Sequence, residues 1–247
     1  MPYIEAQGLT VDYPILDISR RSFKKDALSW MTGGRVGQRD GHISVRALDS
    51  LDLRVAGGER VGLLGHNGSG KSTLLKAIAG VYAPCAGTLR TRGRIASLLD
   101  LTLGMEPEAT GAENIYLRGA LLGVSPREVR GAFEGIAEFS GLGDYLQLPI
   151  RTYSSGMLVR LGFAISTAFP ADIILMDEWL GVGDAQFQEE ANRRLHALTR
   201  EAAVLVLASH SQELIQQTCN RCVRLEHGKV VQDQRIVRHE HSHCLDT

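Results

Sequence analysis

Four cysteines in 247 residues are too few to knit a disulfide framework, so the fold must be held by its own apolar core. Long hydrophobic runs are missing as well. No stretch approaches the roughly 18–20 apolar residues that a bilayer-spanning helix requires. The opening Met1-Pro2-Tyr3-Ile4-Glu5 has no basic segment leading into an apolar run, so no signal peptide is expected and the cytoplasm is the expected address. Charge of one sign is also lacking. Against 28 Asp+Glu stand 27 Lys+Arg, a formal net charge of −1, which argues against a protein held to nucleic acid by an overall basic field. With 44% hydrophobic and 22% charged residues, wholesale disorder and collagen-like repetition are excluded.

Glycine, by contrast, is abundant: 27 of 247 residues, roughly 11% against an average near 7%, which predicts tight turns and close backbone approaches. The length suits one large α/β domain, or a domain with a smaller subdomain inserted. Strands are predicted at Ile4–Val11, Ala47–Val55 and Val61–Leu64, then a helix over Lys71–Ala79 and strand-like pieces at Thr88–Arg90 and Ile95–Leu99. Thr110-x-x-Glu113 and Ser125-Pro126-x-Glu128 both match the capping box and start helices of about 10 and 14 residues. Leu158 to Phe169 marks another amphipathic helix. Alternation then returns with a strand at Ile173–Met176, a helix at Gln186–Arg200, a strand at Val204–Ala208 and a helix at Gln212–Thr218, before a hairpin turning at His227-Gly228. Strand–helix alternation interrupted by a helical block predicts a parallel-sheet core with a helical subdomain, at about 105–170, between two of its strands.

Two stretches stand apart from this pattern. Residues 15–44 form an insertion that holds Arg20, Arg21, Lys24, Lys25, Arg35 and Arg39 beside Phe23 and Trp30. It reads either as a solvated loop or as a surface meeting acidic lipid headgroups or a partner. Cys219-x-x-Cys222 is spaced like a redox pair or half a zinc site, with His239, His241, His243 and Cys244 as further ligands. Its position between a helix and a strand favours plain packing instead, since a redox pair belongs on a strand-to-helix turn. Residues from about 232 on are expected to be a loose tail.

The chemistry concentrates in a few segments. Gly65-His66-Asn67-Gly68-Ser69-Gly70-Lys71-Ser72 fits the phosphate-binding loop, the P-loop, with an apolar strand before it and a helix after it. Polyphosphate oxygens need a row of backbone N–H groups, and glycines at 65, 68 and 70 leave the backbone bare for that approach. Lys71 is placed to neutralise β/γ-phosphates and Ser72 to ligate Mg²⁺. A second element, Ile173-Ile-Leu-Met-Asp177-Glu178, ends an apolar strand in two carboxylates, with Asp177 suited to Mg²⁺ and Glu178 to polarising a water. His210 ends the strand after Val204, where it is either structural or catalytic. Tyr153-Ser154-Ser155-Gly156-Met157 precedes the helix at Leu158; small and hydroxyl residues at a helix start can bind phosphate as the P-loop does, but taken alone the segment is an ordinary cap.

Taken together, the order of P-loop, helical block, Ser-Ser-Gly helix start, acidic strand end and histidine strand end resembles the nucleotide-binding domain of ABC transporters, over about Ile4 to Val231. The resemblance implies an α/β P-loop NTPase core with an inserted α-helical subdomain and an N-terminal antiparallel β part. It implies ATP and Mg²⁺ as cofactors, with Tyr153–Met157 as signature motif, Asp177 as Walker B aspartate, Glu178 as catalytic glutamate and His210 as switch histidine. Gly183-Asp184 falls in the D-loop. Nucleotide contacts are implied for Tyr13 (the adenine-stacking aromatic), for Gly65 through Thr73, and for Ser154, Ser155 and Gly156 acting across a homodimer. More narrowly, Tyr153-Ser-Ser-Gly-Met157, Arg160-Leu-Gly-Phe-Ala164, Thr110-Gly-Ala-Glu-Asn-Ile-Tyr-Leu117 and Val182-Gly-Asp-Ala-Gln-Phe187 are similar to exporters of O-antigen, capsule and teichoic acid. That likeness implies a peripheral ATPase on the cytoplasmic face of the membrane, driving an integral-membrane permease that recognises the polysaccharide, with no nucleic-acid partner. A soluble ABC-type ATPase is the alternative. One departure is plain: no glutamine occurs between Ser72 and Gln147, and Leu99-Asp100-Leu-Thr102-Leu-Gly104 stands where the family's Q-loop would be.

Overall fold

The computed structural model describes residues 1–14, 36–39, 42–178 and 185–236. Most of the basic insertion, the Gly183-Asp184 pair and the histidine-rich end lie outside them. The described chain forms two compact units. A P-loop unit takes residues 3–91 and those from 206 onward; a helical unit takes residues 1–2 and 92–205.

The P-loop unit opens with β1 (Tyr3–Pro14), β2 (Val36–Arg39) and β3 (His42–Ala56), which join β5 (Ala86–Arg92) in a sheet of order β2-β3-β1-β5. β1 and β3 run antiparallel from Tyr3 opposite Ala56 to Pro14 opposite Ser44. The weak alternation of β1 has a physical cause. Ile4 and Ala6 are buried, and so are Leu9 and Val11, a change of parity that coincides with a register break between Ala6 and Leu9. Gly8 supplies the turn of the backbone there, at φ +57°. A bulge returns the second half of the strand to the same face as the first. Facing it, Ser50 at φ +50° breaks the parity of β3 between Leu48 and Leu51, and its N–H donates to Thr10 Oγ1 at 3.1 Å.

Regular structure reaches into the expected insertion: β2 lies within 15–44, and β3 starts at His42 rather than Ala47. β2 pairs antiparallel with β3, from Val36 opposite Val45 to Arg39 opposite His42. The rest of this unit is β4 (Arg60–Leu64), α1 (Lys71–Ile78), the end of β8 (Val204–Ser209), α6 (Gln212–Thr218), β9 (Arg221–Glu226) and β10 (Lys229–Arg235). β4 and β9 are parallel, and β10 turns back antiparallel on β9. Four of five residues in β4 and all six in β8 are buried, as expected for strands covered on both faces. β10 continues to Arg235, past the predicted start of a tail. Arg221 anchors it, bonding Asp233 at 2.6 and 2.8 Å and Glu59 at 2.9 Å.

The helical unit holds β6 (Ile95–Ser97) parallel to β7 (Ile173–Asp177), with α2 (Gly111–Leu121), α3 (Pro126–Ser140), α4 (Ser155–Ser166) and α5 (Ala185–Glu201). Both capping boxes form. Thr110 and Glu113 exchange side-chain-to-backbone bonds at 3.1 and 2.8 Å, and Ser125 and Glu128 at 3.3 and 3.0 Å. Ile115, Val129, Ile136, Leu161 and Ile165 meet in the core of this unit. Gly111 brings α2 close to the C-terminal side of the block, because a Cβ there would collide with the Tyr153 hydroxyl. That hydroxyl donates to the Tyr145 carbonyl at 2.6 Å. Cys219 is buried and Cys222 half-buried, while His239, His241, His243 and Cys244, the further ligands considered for the pair, lie outside the described residues.

Candidate nucleotide site

The P-loop runs from the end of β4 into α1. Lys71 is 8% exposed, and its Nζ donates to the carbonyls of Gly65 at 2.7 Å and His66 at 3.2 Å, so the ammonium spans the mouth of the loop. Gly70 is the N-cap at φ +108°, and no side chain caps the helix. This sets α1 apart. The starts of α2, α3, α4 and α6 are capped by the hydroxyls of Thr110, Ser125, Ser154 and Ser211. A helix start with bare N–H groups, a positive dipole end and a lysine folded over it is a donor set that fits a polyphosphate. Ser72 is exposed in the first turn, while Thr73 is buried.

The three glycines serve different ends than bare approach alone. Gly68 and Gly70 adopt φ +79° and +108°, where L side chains are strained. Gly65 is required by packing: a Cβ there would meet the Leu225 carbonyl and lie 2.6 Å from Ser69 Oγ. Ser69 is fully buried, and its hydroxyl has no hydrogen-bond partner, so its side chain fills the space beneath the loop. Its N–H donates to the His66 carbonyl at 3.1 Å and its own carbonyl accepts from Gly228 N–H at 2.8 Å. His66 lies edge-on to His227, with centroids 5.5 Å apart, and its Nδ1 is 2.7 Å from the Asn67 carbonyl.

His227 and Gly228 were legible as a hairpin turn but not as a prop for the P-loop. Both have positive φ, +51° and +69°, as a two-residue type I′ turn demands. Gly228 also has no room for a side chain, since a Cβ would strike the Ala47 carbonyl. The turn and the loop are some 160 residues apart in sequence, and no local signal joins them.

Tyr13 does come to the P-loop. Its hydroxyl donates to Thr73 Oγ1 at 2.8 Å, and its ring stands edge-on to Tyr82 at 4.9 Å. Burial pushes the Tyr13 phenol up to about 12, against the opposing pull of the Thr73 bond. Lys76 lies over the Tyr82 ring, 5.8 Å from its centroid. His210 follows directly on β8, next to β4 in the sheet order, and is exposed.

The remaining candidates belong to the helical unit. Asp177 ends β7, whose other four residues are buried, and Glu178 follows at φ +67°. A left-handed glutamate costs on the order of 1–3 kcal/mol, and such conformations cluster at functional sites. Ser154 caps α4, which starts at Ser155, three residues before the predicted Leu158. Its Oγ accepts from Met157 N–H at 3.3 Å, which leaves the hydroxyl proton to donate elsewhere. Gly156 has no need of glycine within its own chain: a Cβ there would have only Ser154 Oγ near it, at 3.9 Å.

Asp100, in the segment without a Q-loop glutamine, is occupied locally. Its Oδ1 accepts from Thr102 N–H at 3.0 Å, Thr102 Oγ1 at 2.9 Å and Leu103 N–H at 3.1 Å. Burial alone would raise its pKa, but these bonds and the charge of Arg118 hold it below the ordinary value.

Residues 48–181 match the ABC transporter family. The chain is 42% identical over 228 residues to the O-antigen export system ATP-binding protein RfbE of Yersinia enterocolitica, covering 92% of this chain and 95% of that one. It is 40% identical over 209 residues to the O-antigen export system ATP-binding protein RfbB of Myxococcus xanthus, covering 85% of this chain and 47% of that one. Among solved structures, a dimeric ATP-binding cassette in a post-hydrolysis state bound to ADP and Pi shares the fold, with a TM-score of 0.65 at 19% identity over 96% of this chain and all of that one. With a family match over more than half its length and a relative aligned nearly end to end, this chain belongs to the ABC transporter family.

Proposed function

We propose that this chain is the ATP-binding and ATP-hydrolysing subunit of an ABC transporter that exports a lipid-linked polysaccharide of the O-antigen, capsule or teichoic acid type. The observation that carries the export reading is the near end-to-end likeness to an O-antigen export ATP-binding protein. The nucleotide reading is supported by the uncapped start of α1 and the lysine above it. On this reading Lys71 and the backbone N–H groups of the P-loop hold the β- and γ-phosphates, and Tyr13 stands beside the base. Ser72 and Asp177 are the groups that would hold Mg²⁺, whose part is to neutralise phosphate charge. Glu178 orients the attacking water and His210 senses the γ-phosphate.

Two copies face each other, and Ser154, Ser155 and Gly156 of one meet the nucleotide on the other. The free proton of Ser154 and the open space at Gly156 both support that role. The working location is the cytoplasmic face of the inner membrane, with a separate permease as partner. Among the described residues no helix is long and apolar enough to cross a membrane, so a spanning partner would supply the pathway.

Replacing Glu178 by Gln is expected to lower hydrolysis at least ~100-fold and to trap an ATP-bound dimer, read by size-exclusion with light scattering. Wild-type turnover in Glu178→Gln would show the glutamate to be misassigned. Purification from membranes in mild detergent tests the coupling. Recovery with a multispanning protein supports export, and recovery with ribosomes supports the soluble alternative.

A further inference from the structure

Arg118 is deeply buried for an arginine, at 5% exposure within the helical unit. From one side its Nη1 donates to the Leu103 carbonyl; from the other its Nη2 donates to Ser166 Oγ at 2.9 Å. Ser166 is itself 3% exposed and is the last residue of α4. Leu103 sits on the turn that Asp100 Oδ1 builds by accepting from Thr102 and Leu103. Burial lowers the pKa of the guanidinium, and Asp100 opposes that shift through space.

A second contact joins the same two pieces. At Gly162, the eighth of the twelve residues of α4, any Cβ would collide with the Leu101 carbonyl, so the backbone of the turn lies directly against the helix. The other side of the turn is open, with Leu103 53% exposed. Keeping a full charge buried is costly, and a well-packed apolar side chain would hold helices together as well or better. The arginine instead makes two directional bonds, one to each piece, that no apolar residue could make.

We propose that Arg118 is a positioning residue: it ties the Asp100–Gly104 turn to α4 so that the two move as one body and a displacement of the turn carries the Ser154–Gly156 end of the helix with it. α4 has 12 residues, so its N-terminus lies roughly 18 Å from the tie. At that lever arm a small tilt at Ser166 becomes a displacement at Ser154 large enough to matter for a phosphate contact. The consequence for catalysis rests on the reading of Ser154 as the residue that meets the facing subunit's nucleotide.

Two variants cut the tie gently. Ser166→Ala removes one acceptor, and Arg118→Lys keeps the charge but cannot reach both. In the full-length chain, each is expected to leave KM for ATP within about twofold while kcat falls roughly 10–100-fold. Combining them is expected to add little, because both break the same link. The tie itself is read by pulsed electron resonance between spin labels at positions 102 and 155 in a cysteine-free background. One narrow distance is expected with Arg118 intact and a broadened one in either variant. Narrow distances in both variants would overturn the proposal and leave Arg118 a packing residue. If Ser154→Ala hydrolyses ATP at the wild-type rate, the reading of Ser154 fails, while broadened distances would still establish the tie.

Discussion

The phenol of Tyr13 is held from two directions, by Thr73 through a hydrogen bond and by Tyr82 through an edge-on ring contact. Tyr13→Phe keeps the ring and loses the bond to the first turn of α1. Such a neutral bond contributes about 0.5–1.5 kcal/mol to the stability of the fold, so Tyr13→Phe is expected to lower the urea midpoint by a corresponding amount and Tyr13→Ala to lower it further. The raised phenol value also gives an alkaline signature. An unfolded tyrosine titrates near pH 10, whereas Tyr13 in the fold stays protonated to about 12. Between those values the folded chain binds more protons than the unfolded one, so stability present below pH 10 is lost as pH rises toward 12. In Tyr13→Phe this alkaline fall is expected to be shallower, as followed by thermal unfolding across that range.

Helix starts show why parts of this molecule can be read from sequence and others cannot. Thr110 with Glu113 and Ser125 with Glu128 are separated by three residues, and both boxes form as their spacing predicts. Thr110→Ala and Ser125→Ala are each expected to cost about 1 kcal/mol, read as a lower urea midpoint at unchanged slope. The P-loop was legible for the same reason, its glycines and Lys71 falling within eight residues between an apolar strand and a helix. What escaped depends on distant partners. β5 runs over Ala86–Arg92 rather than Thr88–Arg90, and it does so beside β1. The His227-Gly228 turn supports a loop far away along the chain, and Arg118 reaches back 15 residues to Leu103 and forward 48 to Ser166. Nothing in the neighbourhood of these residues announces what they touch.

At the scale of the whole molecule, the folded chain carries one unit with the P-loop, Tyr13 and His210 and another with Asp177, Glu178 and Ser154. On the proposed reading hydrolysis also draws on Ser154 of a second copy, and the trapped dimer of Glu178→Gln is its assay. The bare start of α1 has one more consequence, in linkage terms. Four other helices carry their own hydroxyl at the first turn; this one leaves the position to whatever binds. A ligand that binds only the folded state raises stability by RT ln(1 + [L]/Kd), about 2.7 kcal/mol at 100-fold excess over Kd. The melting temperature of the isolated chain is therefore expected to climb with the logarithm of ATP concentration, and Lys71→Ala to abolish the slope. Thermal tolerance would then report the supply of nucleotide, making the subunit most durable where it is most fully loaded.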